Sequence, residues 1–138
     1  MVGSVFFSSD AANPDTYPHF YCDAQMYNTT MPQADPQFFM NQFTSWECAT
    51  KENKWQGRNV CRWQNKDYDE TYKLAQSELD PVKRAALFIK LNDLVVSDNY
   101  IQPIISRTRV AAFGGKLTGH ISGWDNDLWQ LASWYREA

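Results

Sequence analysis

The chain has 138 residues, 43% hydrophobic and 21% charged, which suits one compact domain with a real core and excludes a disordered polar chain. A net charge of −3 and a pI near 5.3, with no basic run, argue against nucleic acid as a partner. No apolar stretch approaches the ~20 residues of a membrane span, and Met1 to Ser4 carries no basic flank of a secretory signal.

Val2 to Ser8 is rich in β-formers (Val2, Val5, Phe6, Phe7) and predicts a strand ended by Ser8-Ser9-Asp10. From Ala11 to Pro32, Asn13-Pro14 and Tyr17-Pro18 enforce extended or turn geometry. A structureless loop of that length is uncommon unless it carries function, so it is the first place to look for a site. Asp35-Pro36 predicts a helix start that brings Phe39, Phe43 and Trp46 to one face and ends before Lys51. Lys51 to Val60 reads as a surface loop.

A second helix is expected from Asn65, with Tyr68, Tyr72, Ala75 and Leu79 along its apolar stripe. Asp80-Pro81 starts a third, with Ala85, Phe88, Ile89, Leu91, Val95 and Val96 inward and an end near Ser97-Asp98-Asn99. Tyr100 to Ser106 predicts a short edge strand around Pro103, and Arg107 to Phe113 a second extended segment before Gly114-Gly115. Trp124, Leu128, Leu131 and Trp134 or Tyr135 suit a terminal helix. Two or three strands are too few for an α/β sheet, so the remaining strands are expected upstream of this chain.

The aromatic share is 15%, with six Trp, seven Tyr and eight Phe, and serves either a thick core or a binding surface of flat rings. Cys22, Cys48 and Cys61 lack C-x-x-C spacing and a close histidine, which argues against a metal site. A Cys48–Cys61 disulfide would stabilise by roughly 3 kcal/mol by closing its loop, the alternative being buried free thiols. Only His19 and His120 are available as general bases, and no nucleophile motif surrounds either, so no enzyme is expected and no cofactor. Asn28-Thr29-Thr30 fits a glycosylation sequon.

Three features arrive in order: Phe7-Ser8-Ser9-Asp10-Ala11-Ala12-Asn13-Pro14-Asp15-Thr16-Tyr17, then Arg62-Trp63-Gln64-Asn65-Lys66-Asp67-Tyr68-Asp69, then Glu78-Leu79-Asp80-Pro81-Val82-Lys83-Arg84 with Ile101-Gln102-Pro103-Ile104-Ile105 beyond it. Together they resemble the C-terminal third of the extracellular solute-binding proteins of family 5, the dipeptide- and oligopeptide-binding components of ABC importers.

The resemblance implies an α/β fold: a lobe fragment of a two-lobe periplasmic-binding-protein type II architecture. Residues 1–120 would belong to the second lobe and 121–138 would return to a first lobe contributed by a missing N-terminal part. It implies a periplasmic or extracellular protein that hands a peptide, or another small solute, to an ABC permease in the membrane. By the same resemblance Asp10 matches the carboxylate that pairs with a peptide's α-ammonium, and Phe7 an aromatic lining the pocket. Phe6 to Ser8 would offer strand backbone to an extended ligand. Arg62 and Trp63 would line a pocket, whereas Asp80, Arg84 and Asp69 match positions with structural roles.

The chain departs from the family in having Phe6-Phe7 where Gly-Trp is usual, and Asn13 where an acid often precedes the proline. Carbohydrate, opine or metal-complex binding is the alternative within the family. A carbohydrate-binding module with exposed tryptophans is the alternative outside it.

Overall fold

The structure, a computed structural model, describes residues 2–106, 112, 114–119 and 130–137. Its centre is a helical hairpin, α3 (Lys66–Ser77) and α4 (Pro81–Ser97), against which the short α2 (Gln37–Asn41) packs. A one-turn helix α1 (Gly3–Phe6) lies near the N-terminus. The antiparallel pair β1 (Leu117–Thr118) and β2 (Tyr135–Arg136) forms a separate small sheet, with Leu117 opposite Arg136 and Thr118 opposite Tyr135.

Both long helices begin where the cap chemistry says they should. The Asn65 side chain accepts from the Tyr68 amide at 3.0 Å. Asp80 Oδ1 accepts from the Val82 and Lys83 amides at 2.9 and 3.1 Å, and Pro81 adds its preset φ. Glu78, Leu79 and Asp80 alone connect the two helices, which forces them antiparallel. The open end of the hairpin is tied by Asp98, whose Oδ2 accepts from Trp63 Nε1 at 3.0 Å and from Asn65 Nδ2 at 3.4 Å. Asn99, in the left-handed region at φ 57°, then takes the chain off α4.

Tyr68, Tyr72 and Ala75 of α3 and Phe88, Leu91 and Val95 of α4 are buried together with Met40 and Trp63. The predicted stripes were too wide. Leu79 lies beyond α3 and is 94% exposed, and Ala85, Ile89 and Val96 turn outward on α4. Arg84 leaves α4 to clamp Asp35: Nη1 to Oδ2 at 2.9 Å and Nη2 to Oδ1 at 3.0 Å, while Nη2 also reaches Gln37 Oε1 at 2.9 Å. A parallel two-point guanidinium–carboxylate contact is the strong form of this pair, and it fixes the start of α2 on the hairpin.

The helix expected from Asp35 onward is interrupted. Thr44 Oγ1 donates to Asn41 O at 2.8 Å, so the side chain competes with the helical ladder. Asp69 Oδ1 accepts from the Ser45 amide at 2.9 Å, and a single 3-10 turn (Ser45–Glu47) follows. Phe39 and Phe43 still meet edge to face at 5.8 Å, but Trp46 rests on Tyr72 at 6.0 Å and stays half exposed.

The strand expected over Val2 to Ser8 is instead α1. β-propensity needs a neighbouring strand to satisfy the backbone, and none among the described residues pairs here. The amides turn inward locally: Val5 and Phe6 donate to Val2 O, and Phe7 to Gly3 O. Tyr100 to Ser106 likewise forms no strand, because Pro103 has no amide to donate and Ile104 and Ile105 stand 69% and 79% exposed. The expected segment Arg107 to Phe113 lies almost wholly outside the described residues. So does most of the terminal helix, whose described end is a 3-10 turn (Leu131–Ser133) leading into β2.

Burial and the adjacent Tyr72 and Asp69 push the Tyr68 hydroxyl well above its ordinary range, and that hydroxyl donates to Met40 O at 2.6 Å. Replacing Tyr68 with Phe removes one of the two bonds to Met40 O, which the Phe43 amide also reaches at 3.2 Å, and is expected to cost about 0.5–1.5 kcal/mol in urea unfolding. The Arg84 guanidinium and the Gln37 amide hold the Asp35 carboxyl below its ordinary value of 3.8. The unfolded chain therefore takes up that proton first as pH falls. The stabilisation is whole above about pH 4 and disappears as pH drops through the lowered folded value. The gap in urea midpoint between wild type and Asp35→Asn should hold from about pH 6 to about pH 4 and narrow below it.

Candidate functional site

α1 and the loop after it gather an aromatic cluster. Phe6 and Phe7 meet edge to face at 4.8 Å, Tyr17 lies 6.0 Å from Phe6 and 5.8 Å from Phe7, and Tyr27 lies 5.5 Å from Tyr17. The Tyr17 amide donates to Phe6 O at 2.9 Å, which closes the loop back onto the helical turn. Phe7 is 57% exposed, so the cluster offers ring surface to solvent. Burial and neighbouring Tyr17 raise the Tyr27 hydroxyl above its usual range.

Asp10 ends this segment in an exposed turn. Its amide donates to Ser8 Oγ at 3.2 Å and its Oδ1 accepts from the Ala12 amide at 2.9 Å. That is the side-chain-to-backbone turn by which aspartate commonly redirects a chain. Asn13 repeats it, accepting from the Asp15 amide at 3.0 Å. The expected strand pairing of Phe6 to Ser8 with an extended ligand does not apply here. The backbone is helical through Phe6, and Phe6 O is occupied by Tyr17.

Arg62 and Trp63, expected to line a pocket, hold the chain together instead. Trp63 is buried in the core with its ring 5.1 Å from Tyr68. Arg62 donates from Nε to Ala49 O at 2.8 Å and from Nη2 to His19 O at 2.6 Å and Pro18 O at 3.4 Å. Its guanidinium lies 5.2 Å from the Trp55 ring, which in turn lies 4.5 Å from buried His19. Thr16 Oγ1, already donating to Asn13 O at 3.0 Å, sits 2.8 Å from His19 Nδ1, which makes Nδ1 the donor. Trp55 thus packs with His19 and Arg62, and His19 is a packed loop histidine.

This clasp is where the backbone is strained: Phe20, Trp55 and Arg62 adopt φ of 41°, 60° and 56°, in the left-handed region that bulky residues avoid. Gly57 belongs to the same loop. A Cβ there would overlap the Glu47 carbonyl, so only glycine lets the two stretches approach.

Cys48 and Cys61 are free thiols in this structure, not the disulfide considered from their spacing. The Cys48 thiol donates to Trp63 O at 3.8 Å, and Cys61 donates to Asn59 Oδ1 at 3.4 Å. Burial pushes the Cys48 thiol up. Both sulfurs are drawn into the bonding of Asn59, a residue without any motif in the sequence to single it out. Asn59 is 1% exposed, donates from Nδ2 to Thr44 O at 3.1 Å and Trp63 O at 2.8 Å, and accepts the Trp63 amide at 3.2 Å. Among the described residues no group of acids, cysteines and histidines could hold a metal ion.

A concavity lies between α2 and α3, about 450 Å³ in volume and lined by Gln33, Asp35, Gln37, Phe38, Asn41, Tyr72 and Gln76. No pattern in the sequence marks it, because its amides come from a loop and two separate helices. Asp10, Phe6, Phe7 and Ser8 are not among its lining residues.

Replacing Arg62 with Ala should free the N-terminal loop without melting the hairpin. Limited proteolysis is expected to cut between residues 18 and 27 several-fold faster while far-UV helicity is retained. No family model matches this chain, and no curated protein and no solved structure matches it.

Proposed function

We propose that the chain is the ligand-capturing part of an extracytoplasmic solute-binding protein that serves an ABC importer and takes up peptides without chemical change. The ordered set of motifs from Phe7 to Tyr17, Arg62 to Asp69 and Glu78 to Arg84 supports this reading. The single structural observation that carries the ligand assignment is the exposed Asp10 carboxylate, three residues after Phe7 of the open aromatic cluster that Phe6 and Phe7 form with Tyr17 and Tyr27.

The chemistry is that of a peptide N-terminus. A carboxylate pairs with the α-ammonium, and ring faces accept both its cationic end and apolar side chains. The turn that holds Asp10 uses Oδ1 for the Ala12 amide and fixes the direction of the group before a ligand arrives. Capture would be completed by closure of a second lobe over the cleft, after which the loaded protein docks on the permease. The exposed apolar residues Ile104 and Ile105 and the outer face of α4 at Val82 and Ile89 are in keeping with further polypeptide packing on this lobe.

The test is a pair of titrations on the protein as it occurs in the cell. Asp10→Asn is expected to weaken a free-amine tripeptide at least tenfold, as loss of one charge-assisted contact implies. The N-acetylated tripeptide should bind the variant and the wild type alike. Equal loss for both peptides rejects the role of Asp10, and failure of the wild type to bind any peptide rejects the peptide reading itself.

A further inference from the structure

We propose that the groove between α2 and α3 binds a neutral sugar ring, as a site separate from the aromatic cluster at Asp10. The lining of the groove is polar, and none of its residues carries an uncommitted charge. Asp35 is its one carboxylate, and both of its oxygens are held by Arg84. A cationic ligand would find no free carboxylate in the lining, whereas a ligand made of hydroxyls would lose no ion pair by binding.

Two amides in the groove have their orientations fixed by neighbours. Gln37 uses Oε1 to accept from Arg84 at 2.9 Å, which leaves its Nε2 as a donor with no partner among the described residues. Asn41 uses Nδ2 to donate to Glu47 Oε1 at 2.9 Å, which leaves Oδ1 as an acceptor. Gln37 and Asn41 stand one turn apart on the same face of α2. A donor and an acceptor at that spacing match neighbouring ring hydroxyls, each of which both gives and takes a hydrogen bond. Gln33, which makes no bond of its own among the described residues, adds a further amide at the rim.

Beside these amides stands Phe38, 51% exposed, with the Arg58 guanidinium over its ring at 4.4 Å. Arg58 also donates to Phe38 O at 3.0 Å, so the ring is braced and pre-positioned rather than free to collapse. A braced aromatic ring beside fixed amides is what the C–H face and the hydroxyl edge of a pyranose require together. The groove floor is tied to α2: the Tyr72 hydroxyl donates to Gln37 O at 3.0 Å.

Trp46 reports on the site, since its ring lies 6.0 Å from Tyr72 and is half exposed. Cellotriose and maltotriose are titrated against the wild-type protein, following tryptophan fluorescence and calorimetric heat. Saturable binding of at least one is expected. Gln33→Ala and Gln76→Ala, both at exposed positions, should each weaken it several-fold, and Phe38→Leu roughly tenfold. Asp10→Asn should leave it unchanged. Absence of saturation with either sugar overturns the proposal, as does equal binding by all three groove variants. Displacement of the sugar by trialanine from the same groove overturns the ligand class. Because Asp10→Asn is silent here and decisive for the peptide titration, the two readings fail separately.

Discussion

A single buried side-chain amide joins the irregular stretch after α2 to the one before α3. Asn59 has its donor on the carbonyls of Thr44 and Trp63 and its acceptor on the Trp63 amide, with the Cys61 thiol donating to the same oxygen. The stretch after α2 and the stretch before α3 are thereby held at one point, and the parallel bridge between Cys48 and Asn59 extends the contact along the backbone. Leaving such groups unpaired in the interior costs 1–3 kcal/mol each, so the loop is held against the hairpin by the penalty of leaving as much as by attraction.

From that point outward the structure is a hierarchy of attachments. The hairpin is closed at one end by its short connection and at the other by Asp98. Arg84 sets α2 upon it, Tyr68 and Tyr72 reach from α3 to the carbonyls of Met40 and Gln37, and Arg62 adds the N-terminal loop. Long side chains ending in hydrogen-bond donors do this work throughout. The aromatic surplus thus has two uses. Trp63, Tyr68 and Tyr72 are core residues with one polar end satisfied, whereas Phe6, Phe7, Tyr17 and Tyr27 form a cluster partly open to solvent.

The parts of the fold that were legible in the sequence are those where chemistry is local. Asn65, Asp80 and Pro81 announce α3 and α4 because a cap is a bond between a side chain and amides two or three positions on. Val2 to Phe7 misled for the opposite reason: a strand is a relation to another strand, and propensity says nothing of whether one is present. The early end of α2 turns on Thr44, whose hydroxyl chooses between solvent and Asn41 O in a way composition does not reveal. Of the candidate site residues, Asp10 and Phe7 are exposed and able to meet a ligand, while Arg62 and Trp63 are engaged within the chain. The groove amides were invisible beforehand because Gln37 and Asn41 acquire their orientation only from Arg84 and Glu47, partners distant in the chain or off the helix.

Arg62 grips carbonyl oxygens: those of Ala49, Pro18 and His19. A carbonyl belongs to every amino acid, so this attachment is indifferent to which side chains occupy those three positions. Drift in the sequence of the docked loop would leave the guanidinium with the same acceptors, while a change at position 62 itself would forfeit all of them at once. Apart from Thr16 and His19, whose side chains pack into the clasp, the anchoring of the N-terminal loop is thus separate from the loop's composition, which leaves its exposed positions free to diversify.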